Sequence, residues 1–346
     1  PTYNGERFVA QALASVAAQQ GDGVEIIAVD DGSTDRTLDI LRRWSRALAL
    51  TIIERPHSGN WVESTAIGTA QARGTYICWL HQDDAWSSRR LTVLRAVLEN
   101  RPEAAFLVHP CWYSNVQGQR IGYWRCPLPR VRRLLRFDEV ARPLLVQCSI
   151  GTCGTLFSAE AARQVGAPDA TLAYHADWDY WLRLARLGRT LYHPTPLASF
   201  RIHAGSQTIA RAGEADARLG EARTVLRRHL PHFAACGGDA RRVEAVASVS
   251  AQLNHALNAL VAAQEFDAAR LLRAAAKLGP AGWAKLLGDS QIVERCLSRL
   301  QASAGLRPLV IEGLRRSMAR LAGRQAADGK PGLFTGRAAD GAHCPT

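Results

Sequence analysis

The chain has 346 residues, of which 47% are apolar, and 43 Lys and Arg against 31 Asp and Glu give a formal charge of +12 at pH 7. That length exceeds the usual single domain, so one larger domain and a smaller appendage are expected, with ample material for a buried core. The positive charge is nearly all arginine, since Lys277, Lys285 and Lys330 are the only lysines, and it is scattered in short clusters. This argues against a nucleic-acid partner: arginine in place of lysine reads as the mark of a GC-rich genome, and attraction to an anionic membrane surface or a polyanionic acceptor stays open as the alternative.

In chain order, Pro1-Thr2-Tyr3-Asn4 reads as a strand-to-helix turn with no strand in front of it. A fragment truncated at its N-terminus is therefore expected, lacking a first strand that would be central in the sheet, and poor solubility with it. Apolar spacing predicts a helix over 8–16, a strand over 24–29, and a helix over about 34–44 capped by Ser33 or Thr34. A strand over 50–54, a helix over 62–72 closed by Gly74 and a strand over 75–80 follow. Strands alternating with helices of about ten residues indicate a largely parallel sheet. Next come a helix to Glu99, a strand over 104–108, a hairpin or edge strand over 112–123, and an apolar stretch over 150–157. A helix over 159–165 ends at Gly166 and another, over about 178–187, at Gly188. Asp177 and Asp179 stand at the start of the latter, where the helix dipole favours acids. Strands over 190–192 and 197–202 complete this part.

Beyond about Ala210 the composition turns to Ala, Arg and Leu with helical periodicity, including a helical pair over 245–263 and 266–278. From about Ala326, Gly, Pro and Asp replace periodic apolar residues, as in a disordered tail. The expected organisation is a doubly wound α/β domain over 1–210, with a mainly parallel sheet flanked by helices, then an all-α region over 211–325 and a disordered tail over 326–346. None of the eight cysteines falls in a C-x-x-C pair or a Cys/His ligand spacing, which suits thiols in a reducing cytoplasm. No apolar run reaches about 18 residues, so any membrane association is expected to be peripheral, at the inner face.

Two acidic turns carry the chemistry: Val29-Asp30-Asp31-Gly32-Ser33 and Leu80-His81-Gln82-Asp83-Asp84, each ending an apolar run. In open α/β sheets ligands bind beyond the carboxyl ends of the strands. Carboxylates gathered there with no lysine nearby need a counter-charge, which a hard divalent cation bridging to phosphates supplies. A metal-bound nucleotide is the expected ligand. The plainer reading of Asp-Gly-Ser is turn and cap chemistry, and that of Asp83-Asp84-Ala85-Trp86 is a helix-capping turn.

Pro1-Thr2-Tyr3-Asn4, Val29-Asp30-Asp31-Gly32-Ser33-Thr34-Asp35, Leu80-His81-Gln82-Asp83-Asp84, Asp177-Trp178-Asp179-Tyr180-Trp181-Leu182-Arg183-Leu184 and Phe200-Arg201-Ile202-His203, in this order, resemble the inverting family 2 glycosyltransferases of the GT-A fold. The resemblance covers residues 1–210 and not the C-terminal helices. It implies transfer of a sugar from a UDP-, GDP- or dTDP-linked donor to a hydroxyl of a glycan or lipid-linked acceptor, with Mn²⁺ or Mg²⁺ as cofactor, in bacterial cell-envelope polysaccharide synthesis. It assigns Thr2, Tyr3, Asn4, Asp30, Asp31, Ser33 and Asp84 to the donor nucleotide, and Asp83 and His203 to the metal. Asp177 becomes the general base, and Trp178 and Asp179 face the acceptor. The chain departs from the family pattern at His81, where an acid is usual, at Ala176 in place of Glu, and at Thr65 in place of an arginine that Arg55 or Arg73 would have to replace. His175 is a rival base, and Trp61 has no role beyond packing. Two other readings stay open. A nucleotidyltransferase would normally show a Gly-rich phosphate loop, which residues 1–7 do not provide. A non-catalytic module binding a nucleotide sugar or glycan, with the helices as scaffold, would explain the three departures.

Overall fold

The structure is a computed structural model and describes residues 1–19, 23–131, 133–203, 205–207, 214–261 and 267–302. Helix α1 (Val9–Ala17) buries Val9, Ala12, Leu13 and Val16, one face of a 3.6-residue repeat. It is followed by β1 (Ile26–Asp30), α2 (Thr37–Trp44), β2 (Leu50–Glu54), α3 (Trp61–Gln71), β3 (Tyr76–Ile77), β4 (Ala85–Trp86), α4 (Arg90–Glu99), β5 (Phe106–Val108), β6 (Cys111–Ser114) and β7 (Arg120–Trp124). Then come α5 (Phe137–Leu144), β8 (Thr155–Ser158), α6 (Ala159–Val165), α7 (Ala176–Ala185), β9 (Thr190–Tyr192) and β10 (Ala198–Arg201).

The first three α/β steps follow the alternation in the sequence: β1 and β2 pair in parallel, Ile26 opposite Leu50. Thr2 lies on the other side of β1, bridged in parallel to Asp30. Beyond β5 the regular alternation stops, because the chain turns directly into the antiparallel hairpin of β6 and β7. The outcome is mixed sheets where a mainly parallel one is expected. One has the order β3-β8-β5-β9, with β8 antiparallel to both neighbours, and another the order β4-β10-β6-β7. Helix α2 also starts later than expected. Ser33 turns its hydroxyl to Asp30, and the carboxylate of Asp35 instead accepts from the Thr37 backbone N–H at 2.9 Å.

The core gathers aromatic residues around Trp79, whose ring lies 4.7 Å from that of Tyr180 and 5.0 Å from that of Trp181. Trp181 and Tyr180 are fully buried, so these central aromatics are packing. The C-terminal helices are α8 (Ala215–Ala235), α9 (Ala240–Val261), α10 (Ala268–Ala276), α11 (Gly279–Asp289) and α12 (Ile292–Ala302). The expected helical pair corresponds to α9 and α10, its joint and the expected tail lying outside the described residues. Helix α12 rests on β7 so closely that a Cβ at Gly122 would fall 2.0 Å from Ser298 Oγ. Only a residue without a side chain lets the helix sit there, over the open end of the sheet. No helix among the described residues is long and apolar enough to cross a membrane.

Candidate active site

A cavity of about 310 Å³ opens where the first turn of the chain, the two acidic turns, the start of α7 and the C-terminal helices meet. Thr2, Tyr3, Asp31, Asp83, Asp177 and His203 line it. Asn4, Asp30, Ser33, Asp84, Trp178 and Asp179 do not, and the reasons are local.

In the first acidic turn Asp30 is fully buried. Its carboxylate accepts from Thr2 Oγ1 at 2.9 Å, from Ser33 Oγ at 2.6 Å and from the Ser33 backbone at 2.8 Å. Asn4, in the left-handed region with φ 43°, donates its backbone N–H to Ser33 Oγ and accepts the Thr34 N–H on Oδ1. Asp30, Ser33 and Asn4 therefore spend these polar atoms on holding the turn and do not line the cavity. Asp31 reaches the cavity. It accepts from the Ser58 and Gly59 backbone at 3.1 and 2.9 Å, with Arg55 Nε at 3.4 Å and His57 Nδ1 at 3.0 Å. Burial pushes its carboxyl up, but these hydrogen bonds and the Arg55 charge outweigh that and hold it below the usual range. The loop carrying these donors can approach because Gly32, at φ +75°, has no Cβ to meet His57 N. Tyr3 stacks on His57, centroids 4.1 Å apart. Gln82 clasps the Tyr3 backbone, accepting its N–H at 2.8 Å and donating to its carbonyl at 2.9 Å.

The second acidic turn is different. His81, Asp83 and Asp84 each bring one ligand atom within 4.8 Å of the others. His81 Nε2 and Asp84 Oδ2 are buried with no hydrogen-bond partner among the described residues. Burial pulls the His81 imidazole down to about 4, leaving it neutral and its lone pair available, and pushes the Asp84 carboxyl well up. Asp84 does not line the cavity. It lies behind the turn, accepting the Arg201 N–H at 3.0 Å. Asp83 faces the cavity with Oδ2 2.9 Å from His203 Nε2. Burial raises its carboxyl, yet the His203 hydrogen bond, the two neighbouring imidazoles and a backbone hydrogen bond together outweigh this and keep it low. His203 thus braces Asp83 and is not among the three clustered groups. Two orphaned buried ligand atoms beside an acid suit a divalent cation.

At the opposite wall, Asp177 opens α7. It accepts from Thr152 Oγ1 at 3.2 Å and from the Trp178 backbone at 2.7 Å. Desolvation pushes its carboxyl up to about 6. His175 also lines the cavity, but burial pulls it down to about 4, a weaker base. Trp178 and Asp179, expected to face the acceptor, do not line the cavity. Trp178 Nε1 donates to the Leu144 carbonyl at 2.7 Å. Asp179, 1% exposed, is enclosed by Arg183 at 2.9 Å, His229 at 3.0 Å and Arg228 at 3.3 Å. On a helix, successive side chains point about 100° apart, so adjacent residues cannot share one face.

Several contributors are invisible in the motifs. Arg55 supplies the cation beside Asp31, whereas Arg73 pairs with Glu25 at the surface. Thr65 bonds back to the Trp61 carbonyl, while Trp61 itself lines the cavity, edge-on to His81 at 5.0 Å. Glu221 on α8 accepts the backbone N–H groups of Ala173 and Tyr174 at 3.0 and 2.8 Å and so fixes the entry to α7. Arg218, Arg295 and Arg299 form the wall nearest that entry. Only the neighbouring histidine and arginine of the acidic turns carried a local signal; the C-terminal residues carried none.

Residues 1–164 match the family described as Glycosyl transferase family 2. Among curated relatives, an uncharacterized glycosyltransferase of Rickettsia prowazekii is 26% identical over 208 residues, 60% of this chain and 64% of its own. The chain thus spans less than two thirds of that relative's length. A putative teichuronic acid biosynthesis glycosyltransferase, TuaG of Bacillus subtilis, is 25% identical over 212 residues, 58% of this chain and 77% of its own. Among solved structures, S. aureus TarS 1-349 in complex with UDP-GlcNAc has a TM-score of 0.56 at 16% identity, over 88% of this chain and 91% of its own. The mannosyltransferase PcManGT of Pyrobaculum calidifontis, in complex with GDP-Man and Mn²⁺, has a TM-score of 0.52 at 19% identity, over 87% of this chain and 85% of its own. At such identity the structures speak for the fold alone, which is GT-A.

Proposed function

With residues 1–164 forming a glycosyl transferase family 2 domain on a GT-A fold, we propose that the chain is a metal-dependent, inverting glycosyltransferase. It would move a sugar from a nucleoside-diphosphate donor to a hydroxyl of a glycan or lipid-linked acceptor. The observation that carries this reading is that Asp83, from the second acidic turn, and Asp177, from the start of α7, line one cavity. Asp177, with its carboxyl at about 6, is ionised at neutral pH yet basic enough to take a proton. UDP, UDP-GlcNAc and GDP-Man with Mn²⁺ in the solved structures support a nucleoside-diphosphate sugar as the donor class.

In this mechanism Asp31 and Tyr3 receive the nucleoside end. Asp31 is held ionised by Ser58 and Gly59, and Tyr3 is held flat by His57. Asp83, Asp84 and His81 would hold the divalent ion, which when bound supplies Lewis-acid neutralisation of the departing diphosphate. The imidazole among the ligands favours Mn²⁺ over Mg²⁺, which prefers oxygen. His203 braces Asp83 against the ion's approach. Asp177 accepts the proton of the acceptor hydroxyl as that oxygen attacks the anomeric carbon. Thr152 orients the carboxylate, and Glu221 holds the backbone on which it sits. A single displacement with inversion needs one base and no carboxylate nucleophile, and Glu221, the carboxylate whose charge Asp177 feels, is engaged by the backbone N–H groups of Ala173, Tyr174 and His175.

The test is thermal stabilisation by UDP, GDP, dTDP and CMP with and without Mn²⁺, on wild type, Asp83→Asn and Asp177→Asn. One nucleoside diphosphate should raise Tm in a way that needs both Mn²⁺ and Asp83. Asp177→Asn should keep that shift and lose turnover. Binding without turnover for any donor in the wild type would instead favour a non-catalytic nucleotide-sugar-binding module.

A further inference from the structure

The cavity does not end at Asp177. Its far wall comes from the C-terminal helices, where Arg295 and Arg299 of α12 and Arg218 of α8 face inward. Arg295 is 3% exposed, and its donors meet only neutral acceptors, the Ser290 carbonyl at 3.2 Å and Asn254 Oδ1. Arg299 gives Nε to Asn258 Oδ1 at 3.0 Å, and its Nη1 is buried with no hydrogen-bond partner among the described residues. Among the described residues no carboxylate lies within 4.0 Å of either guanidinium. Burial first, and then the neighbouring Arg299 charge, pull Arg295 down to about 10. Two like charges beside one another, out of water and without a counter-ion, are normally strongly unfavourable.

Buried Arg90 makes the contrast. It gives hydrogen bonds to His109, Cys78 and the Thr155 carbonyl and lies 4.3 Å over the Trp86 ring, with its donors used up inside the protein. The asparagines of α9 do something else for α12. They hold the two guanidinia in position without neutralising them, while Gly122 lets the helix sit against β7. The wall also lies at the base end of the cavity, since the Cys148 thiol is flanked electrostatically by both Asp177 and Arg295.

We propose that Arg295 and Arg299 form an anion subsite for the acceptor, so that the molecule whose hydroxyl meets Asp177 carries a phosphate or a carboxylate close to that hydroxyl. This deepens the transferase reading and rests on it for the word acceptor. A guanidinium pair presents parallel N–H donors matched to either oxyanion, and Arg218, whose charge is partly offset by Glu214 and Glu221, adds to the field behind them.

The experiment measures binding of glycerol 3-phosphate, glucuronate and uncharged glycerol by calorimetry, at millimolar concentrations, to the full chain saturated with UDP and Mn²⁺. Wild type, Arg299→Gln and Arg299→Lys are compared, with UDP affinity measured in parallel and Tm confirming that each is folded. The phosphate arm and the carboxylate arm separate the two sources of negative charge. At least one anion should bind where glycerol does not, at least tenfold more weakly in Arg299→Gln. The Lys variant should recover part of the loss, and UDP affinity should stay within twofold. Anion binding unchanged in Arg299→Gln, no anion binding while UDP binds, or a parallel loss of UDP affinity would each overturn the subsite. Arg299-dependent anion binding in a protein that fails to bind any nucleotide would leave the subsite standing and strike the transferase reading instead.

Discussion

The two acidic turns are near twins in sequence, an apolar strand running into paired aspartates, yet they differ in how their polar atoms are spent. In the first, every oxygen of Asp30 and Asp31 meets a donor from the chain itself, from Thr2, Ser33, Ser58 or Gly59. In the second, His81 Nε2 and Asp84 Oδ2 are buried and have no hydrogen-bond partner among the described residues. A buried polar atom without a partner costs about 1–3 kcal/mol, so the second turn holds a cost that a cation would remove, and the first holds none. The difference teaches that acid spacing alone does not distinguish a self-capped turn from one that keeps ligand atoms open. The donors around the acids decide.

Asp177, outside both turns, sets the scale for the largest effect. Asp177→Asn should lower turnover by about 10²–10⁴-fold while Mn²⁺-dependent nucleotide binding stays intact, and wild-type turnover should rise with pH through about 6. If binding fell with turnover, Asp177 would be part of the donor site. The same carboxyl gives a stability prediction. Its folded value of about 6 lies above its ordinary 3.8. The stability it contributes is therefore present below about pH 4 and lost as pH rises through 6, a penalty of up to about 3 kcal/mol. Asp177→Asn should melt higher than wild type at pH 8 and alike at pH 4; equal melting at both would remove the raised value.

Asp30→Ala should cost about 3 kcal/mol in urea unfolding, one increment for each of three lost hydrogen bonds, with the Mn²⁺ dependence of nucleotide binding unchanged. A shift in that dependence would break the contrast between the turns. Asp83→Asn should do the reverse, abolishing the Mn²⁺ contribution with little change in unfolding. The smallest effect is expected at His203, which touches Asp83 alone in that cluster: His203→Ala should weaken Mn²⁺ affinity by about tenfold, and unchanged affinity would show that the brace is idle.

Much of this was legible beforehand for a physical reason. Apolar periodicity marked β1, β2, α6 and β9, because burial of one face is written locally. Strand pairing was less legible. The turn of β5 into a hairpin, and β8 running antiparallel between β3 and β5, depend on contacts between segments distant in the chain. Within the site, Asp31, Asp83 and Asp177 were marked by their strand or helix ends. Trp178 and Asp179 were drawn in by adjacency in sequence, and helix geometry turned them into the core. His81, which as a sequence departure weakened the metal reading, is one of the three clustered ligand groups.

By itself the sequence determined the α/β alternation, the two acidic turns and the helical character of the C-terminal region, since each rests on residue type and short-range spacing. Tertiary structure alone decided which acids face the cavity, that Arg55 and His57 serve Asp31, and that α8 and α12 close the site with arginines instead of standing apart as a scaffold. Those outcomes depend on long-range packing, Gly122 against Ser298 above all, and no local pattern encodes where a helix more than 170 residues downstream will come to rest.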